Sequence, residues 1–132
     1  MTTARDLMTP NPHTIGASQL VAEAAKRMRR AHVRHLPVLE GAQLVGLLSE
    51  RDVRLVDTLA AGKDCAVSEV MTPEPFVVEA GADLKQVVET MATRKLGSAI
   101  VVEGTEVVGI FTTTDALHLL LRHLVIDDLR GL

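Results

Sequence analysis

The chain has 132 residues, a net charge of −3 and a pI near 5.9, which excludes a strongly basic binder of nucleic acid or membrane surfaces. Apolar residues make up 47% and aromatic residues 2%, with two Phe and no Tyr or Trp, so a single-strand binder built on stacked aromatic platforms is excluded as well. The single cysteine, Cys65, rules out an intramolecular disulfide and a cysteine-rich zinc site.

In chain order, Met8-Thr9-Pro10-Asn11-Pro12 comes first, and its two prolines forbid helix and impose an extended or turning chain. A short strand is expected at His13-Thr14-Ile15. An amphipathic helix follows, with Val21, Ala24, Ala25 and Met28 at i, i+3, i+4 and i+7. Leu36 to Leu39 and Leu44 to Leu48 then flank Glu40-Gly41 as a hairpin, and a second helix begins near Ser49. A linker is expected around Ala60 to Cys65. The whole pattern then recurs: Met71-Thr72-Pro73-Glu74-Pro75, a strand at Phe76-Val77-Val78, and a helix carrying Leu84, Val87, Val88 and Met91. A hairpin about Glu103-Gly104 and a helix from near Thr112 complete it.

The offset of 63 that carries Met8 onto Met71 also aligns Met28 with Met91, Val38 with Val101, Val45-Gly46 with Val108-Gly109 and Asp52 with Asp115. No insertion or deletion is needed, so the chain is two tandem copies of one unit, residues 1–62 and 63–132. Residues 1–63 hold nine Lys/Arg against six Asp/Glu, and residues 64–132 five against eleven, so a half of net charge +3 precedes one of −6. A unit near 60 residues buries its sheet poorly alone, which calls for the two copies to pack together. From Ala116 to Ile126 the last helix is apolar around much of its circumference, so one side is left for a partner; a homodimer is expected.

Each copy ends its last strand with the same pattern, Gly46-Leu47-Leu48-Ser49-Glu50-Arg51-Asp52 and Gly109-Ile110-Phe111-Thr112-Thr113-Thr114-Asp115. A strand running into a helix N-terminus leaves unpaired N–H groups and a positive dipole end, a ready phosphate site to which Ser49 and Thr112 add hydroxyls. Asp52 and Asp115 have two readings. They can accept hydrogen bonds from both hydroxyls of a ribose, or they can close a capping box with Ser49 and Thr112. Arg51 opposes the helix dipole, an arrangement that an anionic ligand would reverse; the second copy has Thr114 there.

These endings, the Met-Thr-Pro segments, and the strands Arg34-His35-Leu36-Pro37-Val38 and Gly97-Ser98-Ala99-Ile100-Val101 together resemble the cystathionine-β-synthase (CBS) domain. Two in tandem look like a Bateman module. The resemblance spans Asp6 to about Leu121. It implies an α/β fold of the α+β type, two β-α-β-β-α repeats packed with pseudo-twofold symmetry. It also implies clefts that bind adenine nucleotides (AMP, ADP or ATP) or S-adenosylmethionine, and a regulatory module with no required cofactor whose binding signals to an effector protein. By this resemblance Arg34 and His35, with Ser98 at the matching position, face ligand phosphates, and Thr14 and Val77 present themselves to the adenine edge. Leu36, Pro37, Ala99 and Ile100 either line an aliphatic base slot or pack the core. Each cleft draws on both repeats. A solvated basic face of Arg27, Arg29, Arg30, Arg34 and Arg54 is the other reading, and it suits Arg27, Arg29 and Arg30 best.

Other chemistry finds little support. His118 and His123 stand at i, i+5, not the i, i+4 that puts two ligands on one helix face, so no metal site is expected. No nucleophile–base arrangement is visible, and each signature offers one Asp without a second acid beside it, so no enzyme activity is expected. Met8, Met28, Met71 and Met91 read as core filling. No apolar run approaches the roughly 18 residues that span a bilayer, and the opening MTTARDLMTPNP is too polar for a signal peptide. A cytoplasmic protein, with neither membrane nor nucleic acid as partner, is the expectation.

Overall fold

The computed structural model describes residues 1–59 and 64–132. Most of the expected linker, Ala60 to Lys63, and with it the boundary drawn after residue 62, lies outside the described residues. Fourteen elements follow in order. The first half contains α1 (Ala4–Leu7), β1 (Thr9–Pro10), β2 (Ile15–Gly16), α2 (Val21–Ala31), β3 (His35–Glu40), β4 (Gln43–Ser49) and α3 (Glu50–Asp57). The second contains α4 (Val67–Val70), β5 (Thr72–Pro73), β6 (Val77–Glu79), α5 (Leu84–Arg94), β7 (Ser98–Glu103), β8 (Glu106–Thr112) and α6 (Thr113–Arg130). The mixed α+β fold and its β-α-β-β-α order are those read from the repeat. The two short strands begin one or two residues later than the periodicity placed them, at Ile15 and Val77.

The helices form where the apolar stripe dictates: Val21, Ala24 and Met28 of α2, and Leu84, Val87 and Met91 of α5, are buried. Both hairpins turn on a glycine with positive φ, Gly41 at 62° and Gly104 at 60°, a conformation that costs other residues a Cβ clash. Each sheet pairs its strands the same way. β2 runs parallel to β3 with Ile15 opposite Val38, β6 runs parallel to β7 with Val77 opposite Ile100, and both hairpins bulge at the equivalent step, after Val38 and after Val101.

The sheets do not follow the halves of the chain. One sheet has the order β2-β3-β4-β5 and the other β6-β7-β8-β1, so each copy lends its Met-Thr-Pro strand to the sheet of the other. Thr72 and Pro73 pair with Leu47 and Gly46; Thr9 and Pro10 pair with Ile110 and Gly109. The short helix before each exchanged strand travels with it. Ala4 N–H donates to the Ala82 carbonyl at 2.9 Å, and Val67 N–H to the Gln19 carbonyl at 2.8 Å. Val67 and the half-buried Met71 therefore belong to the core of the first sheet with Ile15, Leu36 and Leu48, while Ala4 and Met8 pack with Ala80 and Val101 of the second. Neither copy completes its sheet without the other, as units of this size require.

Helix α6 departs from the symmetry. Ala116 and Leu119 pack against the core of Leu84, Val87, Ala99 and Phe111, but every residue beyond Leu119 is exposed, Leu120, Leu121, Leu124 and Leu129 among them. No helix among the described residues is long and apolar enough to cross a membrane.

Candidate functional site

Because β5 docks on β4, the segment after the second Met-Thr-Pro lies beside the first copy's strand–helix junction. Between them is a cleft of about 1040 Å³ bordered by both copies. The start of β3 brings Arg34 and His35 to it, the end of β4 brings Ser49, and the first turn of α3 brings Arg51 and Asp52. Opposite stand Phe76, Arg94, Lys95, Gly97 and Ser98. Five Lys/Arg side chains (Arg34, Arg51, Arg54, Arg94 and Lys95) border it against three carboxylates, Glu50, Asp52 and Glu74, so an acidic chain carries a cleft of net positive charge.

Both signatures form complete capping boxes. Ser49 N–H donates to Asp52 Oδ2 at 2.9 Å and Asp52 N–H donates to Ser49 Oγ at 3.1 Å. Thr112 N–H donates to Asp115 Oδ2 at 2.8 Å, Asp115 N–H to Thr112 Oγ1 at 3.2 Å, and the Thr112 hydroxyl adds a bond to Asp115 Oδ2 at 3.0 Å. Each cap engages Oδ2 and leaves Oδ1 of the same carboxylate without a hydrogen-bond partner among the described residues, so capping and ligand contact are compatible roles.

His35 meets the second copy at Gly97. Its Nε2 lies 3.3 Å from where a Cβ on Gly97 would stand, so the second copy's glycine at the position of Arg34 leaves room for the imidazole. Burial lowers the His35 pKa below its ordinary value. The charge of Asp52 works the other way, Arg34 adds to the lowering, and Glu50 opposes it. Ser98, the counterpart of His35, is 5% exposed and borders the cleft, and its Oγ has no hydrogen-bond partner among the described residues. A buried hydroxyl left so costs about 1–3 kcal/mol.

Of the thirteen residues singled out in the sequence, Arg34, His35, Ser49, Arg51, Asp52 and Ser98 come together here. Thr14 lies elsewhere, bordering two cavities beside Arg27, whose Nη1 donates to the Thr14 carbonyl at 2.5 Å. Pro37 and Ile100 are buried in β3 and β7 with Leu36 and Ala99. Val77 is 40% exposed on β6. Thr112, Thr114 and Asp115 open α6 and do not border this cleft, although Thr113 does. Of the two readings of Leu36, Pro37, Ala99 and Ile100, core packing fits their burial; the apolar side chains bordering the cleft include Leu47, Phe76, Met91 and Leu96, with the Arg94 guanidinium 5.8 Å above the Phe76 ring. The expectation of a lone acid is corrected, since Glu50 and Glu74 share the cleft with Asp52. Among the described residues, however, no group of three His, Cys, Asp or Glu is placed to hold a metal ion. Arg54, 76% exposed at the side chain, borders the cleft as well.

Comparison with known proteins agrees with the fold. A family model described as the CBS domain matches residues 4–57 and 67–122. The CBS domain-containing protein YhcV of Bacillus subtilis is 32% identical over 117 residues, 87% of this chain and 83% of its own. A crystal structure of CBSX2 in complex with AMP superposes with a TM-score of 0.80 at 27% identity, covering 92% of this chain and 98% of that one. The CBS domain pair of protein MJ0100, in complex with 5′-methylthioadenosine and S-adenosyl-L-methionine, gives 0.82 at 25% identity, covering 91% and 96%.

Proposed function

The chain belongs to the CBS-domain family, and from that premise we propose that it is a non-catalytic sensor of an adenosyl ligand, AMP, ADP, ATP or S-adenosylmethionine. One observation carries the reading: Ser98, whose buried hydroxyl has no hydrogen-bond partner among the described residues, borders the cation-rich cleft between the copies. The AMP complex of CBSX2 and the methylthioadenosine and S-adenosylmethionine complex of MJ0100 support it. In this reading Asp52 offers its second oxygen to the ribose hydroxyls while its first keeps the helix cap. Arg51 meets the first phosphate and Arg34 a longer phosphate chain, Ser98 gains its missing partner, and the adenine lies against Phe76 and Leu96. Thr112, Thr114 and Asp115 are assigned to a second cleft on the other copy, and Thr14 and Val77 to the edges of the bases.

The ligand signals only by preferring one arrangement of the module, since equal affinity for two states shifts neither. The exposed apolar face of α6 is assigned to a homodimer contact, through which a change in the cleft reaches an effector protein of the cytoplasm. The completed capping boxes favour one other reading, a docking module that binds no ligand. Thermal melting separates the two. A ligand that binds the native state alone raises the midpoint in proportion to the logarithm of its concentration. No shift with any adenine nucleotide or with S-adenosylmethionine assigns the chain to docking.

A further inference from the structure

Glu50 is the first residue of α3 and sits between two arginines. Its Oε2 is 3.7 Å from Arg34 Nε, and its Oε1 pairs with Arg54 Nη2 one turn further along the helix. All three side chains border the cleft. All three also border a second cavity of about 480 Å³ with an apolar floor that includes Ala25, Met28 and Val53. The ion-paired triad therefore stands at one edge of the cleft, on the boundary between the two cavities. Arg34 and Arg54 are each 76% exposed at the side chain, among the described residues both form their ion pair with Glu50, and a pair exposed to this degree yields readily to a competing anion. The device exists in one copy alone: the positions equivalent to Arg34, Glu50 and Arg54 are Gly97, Thr113 and Leu117.

We propose that Glu50 acts as an internal anion that sets how long a phosphate chain the cleft accepts. This rests on the adenosyl-ligand reading above and adds a specificity-determining residue to it. A nucleoside monophosphate places its one phosphate by Arg51 and Lys95 and leaves the triad closed. A di- or triphosphate reaches the edge of the cleft, where it must displace the Glu50 carboxylate from Arg34 and Arg54 and then lie beside its negative charge. Like charges held close in a partly desolvated cleft repel far more than they do in water. The wild-type chain is accordingly selective for the shorter phosphate chain.

The test is calorimetric titration of AMP and ATP into the full chain, wild type beside Glu50→Gln and Glu50→Thr, the latter taking the residue of the second copy. Unliganded melting curves confirm that the variants fold. Removing the charge is expected to raise ATP affinity about tenfold and AMP affinity less than about threefold, with the gain shrinking at high salt. An unchanged ATP-to-AMP ratio, or an equal gain for both nucleotides, overturns the inference and leaves the adenosyl reading standing. If neither nucleotide binds wild type or variants, the inference fails, and S-adenosylmethionine titrated beside them decides whether the adenosyl reading fails with it.

Discussion

Met71 fills the space that a side chain on Gly46 would need. A Cβ at Gly46 would fall 2.4 Å from the Met71 sulfur and 2.9 Å from the Thr72 carbonyl, and Gly109 stands in the same relation to Met8, at 2.3 Å. The methionine of each Met-Thr-Pro segment thus seats the exchanged strand on the glycine of the opposite copy's signature, which links two motifs far apart in the sequence. Gly46→Ala is expected to destabilise the fold by about 1–3 kcal/mol, as overpacking does. In a double-mutant cycle with Met71→Ala, chemical denaturation is expected to show the two changes costing less together than the sum of the single variants. Strict additivity would dissociate the glycine from the methionine.

Asp52→Ala separates the two roles of that carboxylate. Loss of the capping box is expected to lower stability by about 1 kcal/mol. If Asp52 also holds the ribose, nucleotide affinity measured at a temperature where the variant is fully folded falls at least about tenfold. A variant that is destabilised yet binds with wild-type affinity assigns Asp52 to the helix cap alone.

His35 gives stability a pH dependence with a definite sign. Burial, the largest cause, lowers its pKa below the ordinary 6.5, so the unfolded chain takes up a proton more readily than the native one. The contribution of His35 is therefore fully present above about pH 6.5 and is lost as the pH falls through the lowered native value. Denaturation midpoints for wild type are expected to drop between neutral and mildly acidic pH by more than those of His35→Gln. Parallel curves for the two proteins contradict this assignment.

Helix α6 predicts association. Leu120, Leu121 and Leu124 are 53%, 60% and 51% exposed on a segment whose every residue beyond Leu119 is exposed. A short helix of this kind has little stability of its own in water. Sedimentation equilibrium is expected to show a dimer for the wild type and a monomer for Leu121→Lys/Leu124→Lys. A wild-type monomer removes the homodimer from the account.

Much of this was legible in the residues, for physical reasons. The repeat, the amphipathic helices and both hairpins are local patterns: a stripe at i, i+3, i+4, or a glycine whose positive φ closes a turn, such as Gly41 and Gly104. The exchange of β1 and β5 between sheets was not legible, because strands of two residues carry no periodicity and their pairing with Gly109 and Gly46 joins the two copies rather than neighbouring segments. The site divided in the same way. Arg34, His35, Ser49, Arg51 and Asp52 lie within 19 consecutive residues and could be read as one group. Phe76, Arg94 and Lys95 reach the same cleft only through the packing of the second copy on the first, and nothing in their spacing signals it. For Asp52 and Asp115 the residues alone left two readings open, since a helix cap and a ribose contact ask for the same carboxylate.

The central claim is that the cleft between the copies awaits a ligand, and Ser98 tests it most directly. Calorimetric titration of AMP, ADP, ATP and S-adenosylmethionine into wild type and Ser98→Ala, with melting of both proteins unliganded, is the measurement. The claim predicts that Ser98→Ala melts no lower than wild type when empty, because it deletes a buried hydroxyl without a partner, yet binds the preferred ligand about three- to tenfold more weakly. No heat from any of the four with the wild-type chain, or equal affinity in the variant, would contradict it.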